Sequence, residues 1–515
     1  MSTHRLRSNG GKLRPSGGGK VRASGGSKLR PCVACGLTVM FLCIAATAHS
    51  QGPPPEPQVG GTAAQPVPAP LPGLNLAAAQ NPFLGGVVTG KATPGIVPLS
   101  LADAITRGLK QNLGLILGQQ GIQSATGNRW GALSGLLPNI TGRVTPEREI
   151  INLAAFGFPL PPGMNPVVGP FNVFDARVFV SQTIFDWSAI QSARAGNEGL
   201  TAAKFSYKDT RDTVVFMIAN LYLQAVTGAS QIEAAQAQVK TSQALYDRAV
   251  DMKKSGVIPG IDVLRAQVQL RAQQQRLIFY QNEFAKRKLT LARAIGLPLE
   301  QQFDLIDKIP YAALQPMSLE DSLKQAYQSR ADLQAAAALV RAAEDAKRAA
   351  QGLALPSVRV TADTGYIGQS VDTAKGTYTV AAGVRVPLFQ GGAVRGRVLQ
   401  ADAALQQQRA QLEDLRTRID FEVRTAFLDL RAADDRVKVA QEALELANQQ
   451  LAQAQDRFAA GVTSNIEVVQ AQEAVATASD NYISSLHAHN VAKISLARAL
   501  GVAEADASHF LGGSR

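Results

Sequence analysis

Residues 256–267 read GVIPGIDVLRAQ and residues 461–472 read GVTSNIEVVQAQ. Both hold Gly-Val, three turn-forming residues, Ile-acid-Val, an aliphatic residue, one variable position and Ala-Gln, 205 residues apart. A turn repeated at that distance constrains the chain to fold as one unit written twice. The duplication extends beyond the turns. LARAIG at 291–296 returns as LARALG at 496–501, again 205 apart, while Ser100-Leu101 and Leu137-Pro138 return 218 residues on as Ser318-Leu319 and Leu355-Pro356. The difference places one longer loop in the first copy, the Pro/Gly-rich stretch at 152–171.

Within each copy two segments alternate with period 2, the pattern of strands with unlike faces. Tyr378, Val380, Ala382, Val384 and Val386 oppose Thr377, Thr379, Ala381, Gly383 and Arg385. Val358, Val360 and Ala362 oppose Arg359, Thr361 and Asp363. In the first copy Phe174, Ala176, Val178 and Val180 oppose Asp175, Arg177 and Ser181, with Phe179 breaking the rule, and Ile140 and Val144 oppose Thr141 and Arg143. Such strands suit either a half-buried soluble sheet or a barrel with lipid outside and water inside. The long helices leave no other layer to cover the apolar face, which favours the barrel.

Proline is absent from 188–254 and from everything after Pro387. Between 426 and 458, apolar or Ala residues recur in alternating steps of four and three, a 3.5-residue period that predicts coiled-coil packing. The register repeats 205 residues earlier, from Leu221 to Lys253. Residues 188–254 predict a helix of roughly 100 Å, and residues 261–294 and 318–351 two of roughly 50 Å each. Laid end to end, those two match the long one; residues 466–499 are expected to stack likewise with an N-terminal helix over 101–136. Four strands per chain cannot close a barrel, for which about eight is the practical minimum, so the chain must oligomerise.

The ends of the chain read differently. Residues 1–31 carry eight Lys/Arg and no acid, followed by an apolar run at 33–46 and Ala46-Thr47-Ala48. Basic, apolar, then A-x-A predicts a secretory leader over 1–48. Its removal takes eight of 52 basic residues and none of 40 acids, so the formal charge falls from +12 to +4 and the case for nucleic acid with it. Cys32, Cys35 and Cys43 also leave, and no disulfide holds the remainder. Residues 49–98 hold eleven prolines and predict an unpacked lead-in. The expected organisation is leader 1–48, lead-in 49–98, first repeat 99–298, linker 299–316, second repeat 317–504 and tail 505–515. The leader's apolar run, 14 residues at 33–46, is short of the roughly 20 a spanning helix needs, and no later apolar run approaches about 18, so a membrane would be crossed by strands.

No catalytic or metal-binding motif is present, and neither enzyme activity nor a cofactor is expected. His487 and His489 are two apart on a helix and face different ways, and Asp434-Asp435 reads as a solvated face. Gly256 and Gly461 follow helices where a left-handed cap favours glycine. Phe185, Trp187 and Phe389 lie just past strands as candidate membrane-interface aromatics, although Trp187 suits packing at the strand-to-helix bend equally well.

Taken together, the doubled Gly-Val-x-x-x-Ile-acid-Val motifs, the two LARAxG copies, RFAAG at 457–461 and the strand exits TIFD at 183–186 and PLFQ at 387–390 resemble the TolC-like outer membrane factor family. The resemblance covers roughly 99–298 and 317–504. It implies a homotrimer with a twelve-strand outer-membrane β-barrel in lipid and a long coiled-coil α-barrel across the periplasm, a membrane α+β architecture. It also implies an exit duct for a tripartite efflux or type I secretion system, docked at its periplasmic tip by an adaptor and through it to an inner-membrane pump. Carried over by position, the tip turns are 254–262 and 459–467, with Gly256, Val257, Asp262, Arg457, Gly461, Val462 and Glu467 as docking residues. Some relatives carry two acids spaced three apart at the pore entrance; the matching positions here are Glu467 and Gln470, which departs from that pattern. The competing reading is a secreted periplasmic coiled-coil scaffold without a pore, which would need only one hairpin and no lipid-facing strands.

Overall fold

The computed structural model describes residues 81–157, 161, 163–308, 311 and 317–505. The expected leader with its cysteines, and most of the lead-in and tail, lie outside them. Eight α-helices are found among these residues: α1 Leu101–Gln111, α2 Leu113–Ser134, α3 Trp187–Lys254, α4 Gly260–Ala294, α5 Leu319–Ser329, α6 Ala331–Gly352, α7 Ala393–Ala459 and α8 Asn465–Ala499. Six strands accompany them: β1 Val97–Leu99, β2 Asn139–Asn152, β3 Val167–Phe185, β4 Phe303–Leu305, β5 Ser357–Gly368 and β6 Lys375–Arg385.

The antiparallel sheet has the order β2-β3-β5-β6. Its register aligns every apolar set on one face: Ile140 is opposite Val180, Val180 opposite Ala362, and Ala362 opposite Val380. The other face carries Thr141, Phe179, Asp363 and Thr379 in one row. Phe179, the exception to the alternation, lies on this polar face beneath the Arg143 guanidinium, 5.4 Å from its ring centre. Pro146 lies on β2, the edge strand of the sheet within one chain. The first two strands run further than the expected ten residues, 14 and 19 against 12 and 11. Both ends of the stretch read as a loop at 152–171, residue 152 and residues 167–171, are therefore strand.

The long helices α3 and α7 hold 68 and 67 residues, about 100 Å each. The shorter helices stack end to end, but within each repeat rather than across repeats as expected. Asn112, between α1 and α2, donates Nδ2 to the Ala294 carbonyl at the end of α4 (3.2 Å) and to Phe83 (2.8 Å). Its Oδ1 accepts from Gly114 N (2.9 Å), capping α2. Arg330, between α5 and α6, donates to the Ala499 carbonyl at the end of α8 (3.4 Å), and Ser329 Oγ donates to Leu500 (2.5 Å). A helix end leaves unpaired carbonyls, and the residue that breaks the next helix supplies their donors. The expected single helices over 101–136 and 318–351 are accordingly each divided. Side by side, the columns run α2/α4, α3, α6/α8, α7, the order of β2, β3, β5 and β6 above them.

The two main apolar cores gather at these junctions. Leu99, Ile218, Tyr222, Leu291, Ile295 and Phe303 form one, and Ala326, Ile419, Val423, Leu496 and Leu500 the other. Each large aliphatic side chain so buried contributes about 1.5–3 kcal/mol. Parts of the expected lead-in and linker belong to the first core: β1 pairs in parallel with β4, and the 3-10 turn Pro82–Leu84 packs beside α2. Tyr222 ties them down, its hydroxyl donating to the Leu99 carbonyl (3.0 Å) and Asp307 (2.8 Å).

Candidate functional site

At the end remote from the sheet, α3 turns into α4 and α7 into α8. Gly256 and Gly461 have φ of 72° and 71°, the left-handed region where a side chain is strained. Gly256 N donates to Lys253 (3.0 Å) and Val257 N to Met252 (2.9 Å); Gly461 N donates to Phe458 (3.1 Å) and Val462 N to Arg457 (3.0 Å). Both are Schellman caps, so the repeated Gly-Val has a common geometric cause. The cap leaves Val257 and Val462 pointing into solvent, 61% and 71% exposed. Pro259-Gly260 stands where the second copy has Ser464-Asn465, with Pro259 at the N-cap of α4 and Gly260 its first residue.

Glu467 accepts from Arg457 Nη1 (2.9 Å) and from the Thr463 hydroxyl, closing the second turn on itself. Asp262, its counterpart, is buried: it accepts from Arg265 (3.0 Å), and its carbonyl accepts from Asn465 Nδ2 of the other hairpin (2.9 Å). Of the expected docking residues, Asp262 is thus turned inward and joins the hairpins. Leu245, Ala454, Phe458, Val468 and Ala471 pack between them. Gln470 is one helical turn beyond Glu467 and lines an open apolar cleft between α4 and α8 with Ile261, Leu264, Val268, Ile466 and Val469.

Further from the tip, two polar ties that sequence reasoning missed join α4 to α8. Arg276 Nη2 is 2.8 Å from Glu473, to which Gln269 also donates (3.4 Å), and Tyr280 donates to Asp480 (2.8 Å). Arg276 holds the Glu473 carboxyl below its ordinary range, and burial, aided by Asp480, pushes the Tyr280 hydroxyl up to about 12. The repeat gave no signal, because the residues 205 positions before Glu473 and Asp480 are Val268 and Gln275. His487 and His489 do diverge, toward Thr227 (3.1 Å) and Asp434 (3.8 Å). Asp434 also accepts from Tyr311 and pairs with Lys438, so it is more engaged than a solvated face would be.

At the helix-proximal end of the sheet, Phe185, the last residue of β3, is 43% exposed and Phe389, just past β6, is 90% exposed. Trp187 instead opens α3 and lies against Gly352 at the end of α6. Tyr366 and Tyr378, both on the apolar face near its opposite end, are exposed as well. Residues 378–385 rise about 24 Å along the strand, roughly 18 Å of height at a tilt of about 40°, on the scale of the apolar band of an outer-membrane barrel.

The family model described as outer membrane efflux protein matches residues 165–297 and 322–502. The chain belongs to that family. An outer membrane efflux protein of this kind is a TolC-like channel protein of the outer membrane whose helices extend into the periplasm. Among relatives, the pyoverdine export outer membrane protein OpmQ of Pseudomonas putida is 24% identical over 341 residues, 64% of this chain and 70% of its own. Outer membrane protein TolC of Salmonella enteritidis is 21% identical over 346 residues, 64% of this chain and 69% of its own. In fold, the chain is similar to the Campylobacter jejuni CmeC outer membrane channel, with TM-score 0.70 at 16% identity over 83% of this chain and 94% of that one. The Vibrio cholerae outer membrane protein VceC gives 0.68 at 19% identity over 78% and 96%. The fold class of this efflux protein is accordingly the helical barrel wall with a β-domain.

Proposed function

We propose that three copies of this chain close into one passive duct through which solutes leave the cell. The observation that carries the reading is the sheet. Its four strands present one continuous apolar face and leave β2 and β6 each unpaired along one edge. Exposed edges and an uncovered apolar face call for further strands and for lipid. Three chains supply twelve strands, enough to close a barrel with its polar face inward.

The helices support the same closure. The outer flank of α7 exposes Phe421, Leu428, Val439 and Leu446, and the opposite flank of the wall exposes Ile278 and Phe279 on α4. Two unlike apolar flanks fit head-to-tail joining into a ring. A pore-less scaffold would leave the sheet's apolar face without a purpose.

At the tip, Gly256, Val257, Gly461, Val462, Arg457 and Glu467 form the surface that a periplasmic adaptor reads, coupling the duct to an inner-membrane pump. Two exposed valines at fixed left-handed caps give such a partner an apolar anchor, and the Arg457–Glu467 pair gives it a polar rim. The repeats at 99–298 and 317–504 each contribute one turn. The protein extracted from outer membranes in mild detergent is expected to show the mass of three chains by light scattering. A single-chain mass in every detergent tried would contradict the ring.

A further inference from the structure

The polar face of the sheet carries an uneven charge distribution. Asp175 and Asp363 both pair with one guanidinium, that of Arg177, at 2.8 Å each. Arg143 lies over the Phe179 ring, and among the described residues no carboxylate approaches it within salt-bridge distance. The same is true of Arg359 and Arg385, both exposed, on adjacent strands at the helix-proximal end of the sheet. Arg359 is opposite Gly383 and Arg385 opposite Ser357, so the two arginines are diagonal neighbours on one face. Gly383 has open space where a side chain would be, which leaves the Arg359 head unobstructed. Asp186, the acid at the bend from β3 to α3, is engaged in capping α3 through Ala189 N (3.0 Å). Glu147 and Glu149 share this face only toward the far end of β2.

From these placements we propose that Arg359 and Arg385 form a basic ring at the junction of tunnel and barrel that makes the duct prefer anionic solutes. The inference rests on the trimeric channel reading, which turns this face to the lumen and repeats the pair three times. Like charges on neighbouring strands destabilise a sheet, and here no acid offsets them. Within a low-dielectric wall their fields add and concentrate counter-charged solutes, as rings of Arg or Lys do in anion pores. Screening sets in over about 10 Å at 0.1 M salt, so the preference is steepest at low ionic strength.

The test is the reversal potential of the full-length protein in planar bilayers under a potassium chloride gradient. Wild type is expected to favour chloride, more so in dilute salt. Arg359→Glu with Arg385→Glu is expected to reverse the sign, whereas Arg359→Lys with Arg385→Lys keeps it. Recovery of channels of ordinary unitary conductance from the Glu variant shows that it has folded. A wild type that favours potassium, or a sign that the double Glu variant leaves unchanged, overturns the ring while leaving the channel standing. A wild type that forms no channel removes the pore reading itself and the ring with it.

Discussion

Arg276 on α4 and Glu473 on α8 meet at 2.8 Å, joining the hairpin of one repeat to the hairpin of the other. Both side chains are about a third to half exposed, so the pair stabilises by roughly 0.2–1 kcal/mol. That is too little to set global stability and enough to bias local opening. Arg276→Ala should raise hydrogen exchange in α4 and α8 near the tip without altering the assembled mass. Unchanged exchange would show that the Tyr280–Asp480 tie suffices.

The same pair fixes a direction with pH. Glu473 has a folded-state pKa held below its unfolded value by Arg276, so its contribution is present above the unfolded carboxylate range. It is lost as pH falls through the lowered folded value. Tip exchange in wild type should therefore rise on acidification toward that of Glu473→Gln, and the two should converge at the acid end.

Two glycines with nearly the same φ should respond differently to alanine. At Gly461 a Cβ meets open space, leaving only the left-handed backbone cost of about 1–2 kcal/mol. At Gly501, φ 72°, a Cβ would stand 2.9 Å from Arg330 Cα. Gly461→Ala should assemble with a slightly lower unfolding temperature, and Gly501→Ala should unfold far earlier or fail to accumulate.

Arg330 holds three partners at once: Asp332 (2.6 Å), Glu422 and the Ala499 carbonyl. Its side chain is 4% exposed. Arg330→Met would leave the Asp332 carboxylate without its counter-charge and strand helix-end carbonyls, a loss of about 3–5 kcal/mol. Asn112→Ala, which removes neutral hydrogen bonds at the equivalent junction, should cost about 1–3 kcal/mol. Thermal unfolding of the two variants checks the order.

Glu467→Lys places a cation beside Arg457 at the second tip turn. Folding and assembly should persist, because the pair is largely exposed, 57% and 37%. Cross-linking to the adaptor in cells should fall. Full cross-linking, together with normal export by both this variant and Gly461→Ala, would remove the tip as the docking site.

The sequence showed the duplication, the strand faces and the glycine caps because each depends on local geometry that both copies must satisfy. Period-2 alternation was enough to put Ile140, Val180, Ala362 and Val380 on one face. The helix breaks at Asn112 and Arg330 were hidden, since equivalent positions hold unlike residues whose partners are distant carbonyls. Val97–Leu99 was lost in a proline-rich stretch because its strand partner lies some 200 residues away. Asp262 read as a docking acid equivalent to Glu467, yet packing of the second hairpin through Asn465 buries it. Equivalence in the repeat is a statement about backbone, and two hairpins packed side by side do not expose the same face.

The most direct test of the duct is single-channel recording from the purified, assembled protein in planar lipid bilayers. Discrete, ohmic openings that vanish when the assembly is dissociated are the predicted result. A membrane that stays electrically silent at high loading of intact assemblies would contradict the account.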